Sequence, residues 1–113
     1  MHRDKIFNCP LNATLSVIGG KYKLVILYHL IENPRRFGEL QRLIPAVSHK
    51  VLIQNLRELE ADGLINREIF PVVPLKTVYS LTDFGRTLIP ILNAICDWGR
   101  EHMKEYIKGE LNN

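Results

Sequence analysis

Three side chains in the stretch SHKVLIQNLRELEADGLINREIF, residues 48 to 70, have the chemistry of base recognition: Lys50, Gln54 and Arg57. Lysine and arginine donate hydrogen bonds to guanine O6 and N7, and glutamine matches the N6/N7 edge of adenine. Val51 and Ile53 lie beside them and are the right size to meet a thymine methyl. Ser48 and His49, at the start of the same segment, can bond phosphate through side chain or backbone N–H. More cations flank the stretch: Arg35, Arg36 and Arg42 before it, Arg67 and Lys76 at its end or after it. Such residues neutralise phosphates and fix the register of a protein on a duplex. Taken singly, each is an ordinary surface charge.

The spacing is what groups the three. On a helix turning about 100° per residue, and with Leu52 at zero, Leu56 and Leu59 fall at about 40° and 340°, while Arg57, Lys50 and Gln54 fall at about 140°, 160° and 200°. The leucines form a core stripe and the three polar residues project together from the opposite side. Any surface helix carries such residues on its wet face, so the elements around this helix must decide what the face is for.

Cys9 is the other residue with chemistry of its own. With Pro10 in the first helical position, Cys9 is expected at the N-cap, where the positive end of the helix dipole favours a thiolate. Cys96 sits among apolar residues and reads as a small core hydrophobe. Other constellations do not hold together. Gly19-Gly20-Lys21 lacks the spacing of a phosphate-binding loop and reads as a helix end. His2, His29, His49 and His102 have no metal-ligand spacing, and the cysteines form no CxxC. Glu58 and Glu60 diverge on their helix and make a poor acid–base pair. No catalytic set, metal site or cofactor is expected, and the chain reads as a non-enzyme.

The elements that must position these residues are legible from their punctuation. A first helix starts at Pro10 and ends at Gly19-Gly20. A second covers Lys21 to Ile31, with Leu24, Leu27, Tyr28 and Ile31 on one face, and stops at Asn33-Pro34. Phe37, Leu40, Leu43 and Ile44 give a short third helix before Pro45. Ser48 caps the fourth, which runs to about Ala61, with Gly63 just beyond. Leu64 to Phe70 and Thr77 to Leu81 read as strands around a tip at Pro71 to Leu75. Thr82 or Asp83 caps a last helix to about Ile107, with Pro90 inside it as a candidate kink. The units are N-terminal helices over 8–32, a helix-turn-helix over 37–63, a wing hairpin over 64–81 and a C-terminal helix over 83–107. The fold class is therefore mainly α with a small β-hairpin, a winged helix-turn-helix. That arrangement puts the outward face of its second helix into DNA.

The chain has 113 residues, the size of one domain, and 46% of them are hydrophobic, enough for a real core. The formal charge of +3 permits a polyanionic partner without demanding one, so the placement of charge carries the argument. No secretory signal and no membrane span is evident, and a cytoplasmic protein with reduced thiols is expected. The last helix carries more apolar surface than one stripe needs. Ile91, Ile95, Trp98 and Met103, with Leu11 and Leu15 of the first helix, are the expected homodimer interface, so that the fold dimerises through its terminal helices.

The chain resembles the HxlR family of bacterial transcriptional regulators, relatives of the MarR-type winged-helix proteins. The resemblance is carried by Cys9-Pro10 with Ile18-Gly19-Gly20-Lys21-Tyr22-Lys23, by Arg36-Phe37-Gly38-Glu39-Leu40, by Leu56 to Ile65, and by Tyr79 to Gly85, in the family's order over nearly the whole chain. Tyr22 replaces a tryptophan usual in the family, and Val78 replaces an acidic residue common before the wing tyrosine. The resemblance implies a homodimer on palindromic operator DNA and, for some members, thiol-based sensing through the cysteine matching Cys9. Double-stranded DNA is thus the expected partner, with no membrane partner, and no residue specifies a small-molecule effector. The competing reading is a winged-helix protein–protein interaction module without specific DNA binding.

Overall fold

Ser48 closes the helix that carries the three candidate base readers: its Oγ accepts from the Val51 N–H at 3.2 Å. Such a cap contributes about 1 kcal/mol. The computed structural model describes residues 5–108, and His2 lies outside them. The elements are α1 (Pro10–Ile18), α2 (Lys23–His29), β1 (Arg35–Arg36), α3 (Phe37–Leu43), α4 (His49–Ala61), β2 (Ile65–Phe70), β3 (Lys76–Leu81), α5 (Asp83–Arg86), α6 (Ile89–His102) and a 3-10 turn at Lys104–Tyr106.

The core is built from one face of each helix and the root of the wing. Ile26, Leu27, Leu40, Leu52, Leu56, Leu59, Leu64 and Ile65 are all but sealed from water. The leucine stripe of α4 is buried as its spacing requires. The face of α2 differs from expectation. Ile26, Leu27 and Leu30 are the buried residues, while Leu24, Tyr28 and Ile31 sit at the margin, because α2 turns its Lys23–Ile26–Leu27–Leu30 side inward. It is also shorter than its apolar pattern suggested.

The turn between α3 and α4 is held by side chains. Gln41 Nε2 donates to the Val47 carbonyl at 2.7 Å, and the Tyr22 hydroxyl donates to the Ala46 carbonyl at 3.3 Å. Tyr22 therefore still reaches this turn with a polar tip.

At its other end α4 stops in a Schellman arrangement. Gly63 has φ of 79°, its N–H donates to Glu60, and the Leu64 N–H donates back to Leu59. The chain then enters β2. Thr82 ties the wing root together: its N–H donates to the Leu64 carbonyl, its hydroxyl donates to the Gly63 carbonyl at 2.6 Å, and it accepts from the Gly85 N–H. Gly85 is buried hard against the Leu64 carbonyl, so a side chain there has no room.

Two further features depart from the sequence reading. The sheet has three strands rather than two, in the order β1-β3-β2, all antiparallel; Arg35 pairs with Tyr79 and Arg36 with Val78. A two-residue charged strand has no hydrophobic periodicity to announce it. The C-terminal helix is also not continuous from 83 to 107. It breaks at Thr87 and Leu88 into α5 and α6, and a 3-10 turn follows Met103. Pro90 falls in the first turn of α6, where its missing N–H costs nothing, so it starts a helix instead of kinking one.

Candidate nucleic-acid interface

Lys50, Gln54 and Arg57 are all exposed on the side of α4 away from its leucines, as the helical wheel requires. Two of them are embedded in local contacts. Gln54 Nε2 donates to Glu58 Oε2 at 2.8 Å, one helical turn on. The other oxygen of that carboxylate, Oε1, lies 2.8 Å from Lys23 Nζ on α2, whose side chain is 8% exposed. Arg57 borders a notch between α4 and the wing, together with His49, Ile53, Glu60, Arg67 and Tyr79. Burial pushes the Tyr79 phenol up, partly offset by Arg67.

The start of α4 presents Ser48 and His49 to solvent. The Ser48 oxygen is occupied in capping, and the His49 ring stands edge-on to Phe37 at 4.9 Å. This contact orients the imidazole beside the helix N-terminus. Arg36 and Arg42 come together with Gly38 and Glu39 around a shallow depression on α3. The Arg36 N–H donates to Glu39 Oε1 at 2.9 Å, which caps that helix.

The remaining candidate cations are not all on one surface. In the β2/β3 ladder, Arg67 is opposite Tyr79 and Ile69 opposite Thr77, whereas Phe70 is opposite Lys76 and Glu68 opposite Val78. Residues paired across a ladder share a face and alternate along the strand. Arg67 thus faces α4, where Glu60 Oε1 lies 3.3 Å from its Nε, and Lys76 belongs to the other face, with its ammonium 5.1 Å from the Phe70 ring. Arg35 stands apart again. Its Nε donates to the His29 carbonyl at 3.0 Å, and it lines a depression with Glu32, Asn93 and Arg100 between α2 and α6. Burial, then the Arg35 charge, pulls the His29 imidazole below its usual range. The wing tip exposes Val72, Val73 and Leu75.

The apolar candidates form a second surface. Leu11, Leu15, Ile91, Ile95, Trp98 and Met103 are all exposed, Trp98 by 59%. Pro90, Ile91, Ala94, Ile95 and Trp98 line an almost entirely carbon-walled groove along α6. Leu92 is the buried residue of that helix. Cys9 is the N-cap of α1, half-buried, and its Sγ accepts from the Asn12 N–H at 3.4 Å. Cys9 and Cys96 are not joined to each other. Among the described residues no cluster of three metal-ligating side chains occurs, and no helix is long and apolar enough to cross a membrane.

Sequence reasoning passed over Lys23, which reads as a surface charge until its partner is known. It weighed Glu58 only against Glu60, as a poor acid–base pair, although the four-residue step from Gln54 is a recognisable signal for a side-chain pair.

Comparison with known proteins supports the winged-helix fold that carries these residues. The family model described as HxlR-like helix-turn-helix matches residues 17–107. The uncharacterized HTH-type transcriptional regulator YkvN of Bacillus subtilis (strain 168) is 48% identical over 107 residues, covering 94% of this chain and 91% of its own. Among solved structures, the redox regulator HypR in its oxidized form superposes with a TM-score of 0.81 at 48% identity, covering 83% of this chain and 97% of its own. The reduced form of the transcriptional regulator YodB from B. subtilis does so with a TM-score of 0.71 at 30% identity, covering 85% and 95%.

Proposed function

The chain belongs to the HxlR-like helix-turn-helix family, and on that footing we propose that it acts as a cytoplasmic homodimer, reading an inverted repeat of duplex DNA with two copies of α4. It is a DNA-binding transcriptional regulator of winged-helix, MarR-like type. The observation that carries the detailed reading is the α4 face: Lys50, Gln54 and Arg57 are exposed together above a fully buried leucine stripe. These three reach base edges, and the elements around α4 hold the backbone. Ser48, His49, Arg36 and Arg42 are placed to take phosphates, and Arg67 supports the wing side of the same groove. Lys76 serves from the opposite face of the wing. Arg35, engaged with the His29 carbonyl, has only its outer nitrogens for a phosphate.

The exposed apolar faces of α1 and α6 supply the dimer contact. A two-fold dimer so formed sets the α4 helices about 34 Å apart, one turn of DNA. Cys9 is the thiol through which oxidants or electrophiles act, because it caps α1 and α1 belongs to that interface. The likeness to the redox regulator HypR supports this part of the reading.

The test is to search the DNA beside the gene for an inverted repeat and titrate it with the protein at several salt concentrations. Neutralising Z phosphates gives a slope of log K against log salt of about −0.9Z. Steep salt dependence and preference for the repeat over scrambled DNA are expected. Binding that ignores both salt and sequence would contradict the proposal.

A further inference from the structure

We infer that Glu58 sets which class of base Gln54 reads; this rests on the reading that α4 enters the major groove. Lys23, a donor only, sits nearly buried against Oε1 of Glu58 and anchors that oxygen at 2.8 Å. The second oxygen, Oε2, lies 2.8 Å from Gln54 Nε2. An ionised carboxylate only accepts, so Gln54 must turn its NH2 toward it. The chemistry of the pair therefore settles the orientation of the Gln54 amide. Its carbonyl oxygen is left for the groove.

An outward acceptor pairs with an exocyclic amine. Adenine offers N6 and cytosine N4, whereas guanine O6 and thymine O4 would set acceptor against acceptor. Gln54 thus selects an amino base over a keto base. Its second amide hydrogen is available to adenine N7, which favours adenine of the two. Glu58 acts through Gln54 and is a positioning residue.

The arrangement predicts an inversion. In Glu58→Gln, Lys23 still claims the one side-chain oxygen at position 58, because it can only donate. The new NH2 then faces Gln54, whose amide turns round to accept from it and presents its own NH2 outward. An outward donor suits guanine O6 and N7 or thymine O4.

The experiment selects bound duplexes from a random pool with wild type, Gln54→Ala, Glu58→Ala and Glu58→Gln, each checked by thermal melting. Wild type should prefer an amino base at one position of each half-site by about tenfold, the share of one good base contact. Gln54→Ala should lose that preference, Glu58→Ala should weaken it severalfold, and Glu58→Gln should switch it to a keto base. A second measurement replaces the selected adenine by purine, or the cytosine by 2-pyrimidinone; because the amine also pairs with the opposite base, its removal should weaken wild-type binding about tenfold more than it weakens binding by Gln54→Ala. The inference is overturned if wild type selects a keto base there, if neither Glu58 variant changes the preference, or if amine removal affects wild type and Gln54→Ala alike. Those results leave DNA reading by α4 intact. Wild type that enriches no sequence at all overturns both.

Discussion

Arg67 Nε lies 3.3 Å from Glu60 Oε1, so an ion pair joins the wing to α4, open to water on both sides. The pair that joins α2 to α4 is different in kind: Lys23 Nζ is 2.8 Å from Glu58 Oε1 with the lysine buried and the carboxylate at the surface. Two neighbouring carboxylates of one helix thereby hold it to two other elements, one weakly and one firmly.

Stability should follow that difference. Glu60→Gln removes an exposed pair and should cost less than about 1 kcal/mol. Lys23→Met keeps the apolar stem but removes the buried cation, and should cost about 1–2 kcal/mol; the exposed Glu58 can return to water, so the cost stays below that of a fully buried pair. Urea denaturation of both variants measures this. Equal losses would mean the burial of Lys23 has no energetic consequence.

Assembly should depend on the α6 groove. Ile95 is half exposed between Ile91 and Trp98 along a nearly apolar wall. Ile95→Glu places a charge there and should shift the protein from dimer to monomer with little change in the fold of the chain. Mass measurement in solution at micromolar concentration reads this out, and a wild type that is monomeric at high micromolar concentration refutes the interface.

Thiol control should reside in Cys9. Its Sγ is within hydrogen-bond distance of the Asn12 N–H, and serine can cap α1 in the same way. Cys9→Ser is therefore expected to fold and bind DNA like wild type while resisting release by diamide; Cys96→Ser should remain sensitive. DNA release from all three proteins before and after diamide checks this. Release from Cys9→Ser as readily as from wild type assigns Cys9 a structural role.

His29 should make stability fall in mild acid. Burial, then Arg35, holds its imidazole below the usual 6.5. Well above pH 6.5 both folded and unfolded forms are neutral and nothing is lost. As pH falls below 6.5, the unfolded chain takes up a proton that the folded one resists, and stability declines until the folded imidazole also titrates. His29→Gln should flatten this part of the profile in urea melts between pH 7.5 and 5. An unchanged slope would place the effect on other groups.

Most of the recognition unit was legible in the sequence because its signals are local. Ser48 and Gly63 bracket α4, leucines at helical spacing fix its inner face, and Pro10 marks Cys9 as a cap. The wing was legible from strand composition on either side of its proline-bound tip. What was not legible depends on pairing across the chain. β1 is two arginines whose strand character comes only from β3. Arg67 and Lys76 separate once the register across the tip is known, since alternation then assigns their faces. Lys23 looks like any surface lysine until α2 docks against Glu58. Pro90 suits either a kink or a helix start, and the break at Thr87 and Leu88 selects the second.

The outward face of α4 carries the central claim, and alanine substitution on it is the most direct measurement. Lys50→Ala, Gln54→Ala and Arg57→Ala leave the buried stripe untouched, so thermal stability should stay near that of wild type. Operator affinity measured at one fixed salt concentration should fall by about 1–3 kcal/mol for each residue that contacts a base edge, with relaxed preference at that base. Three folded variants that bind the operator as tightly and as selectively as wild type would contradict the account.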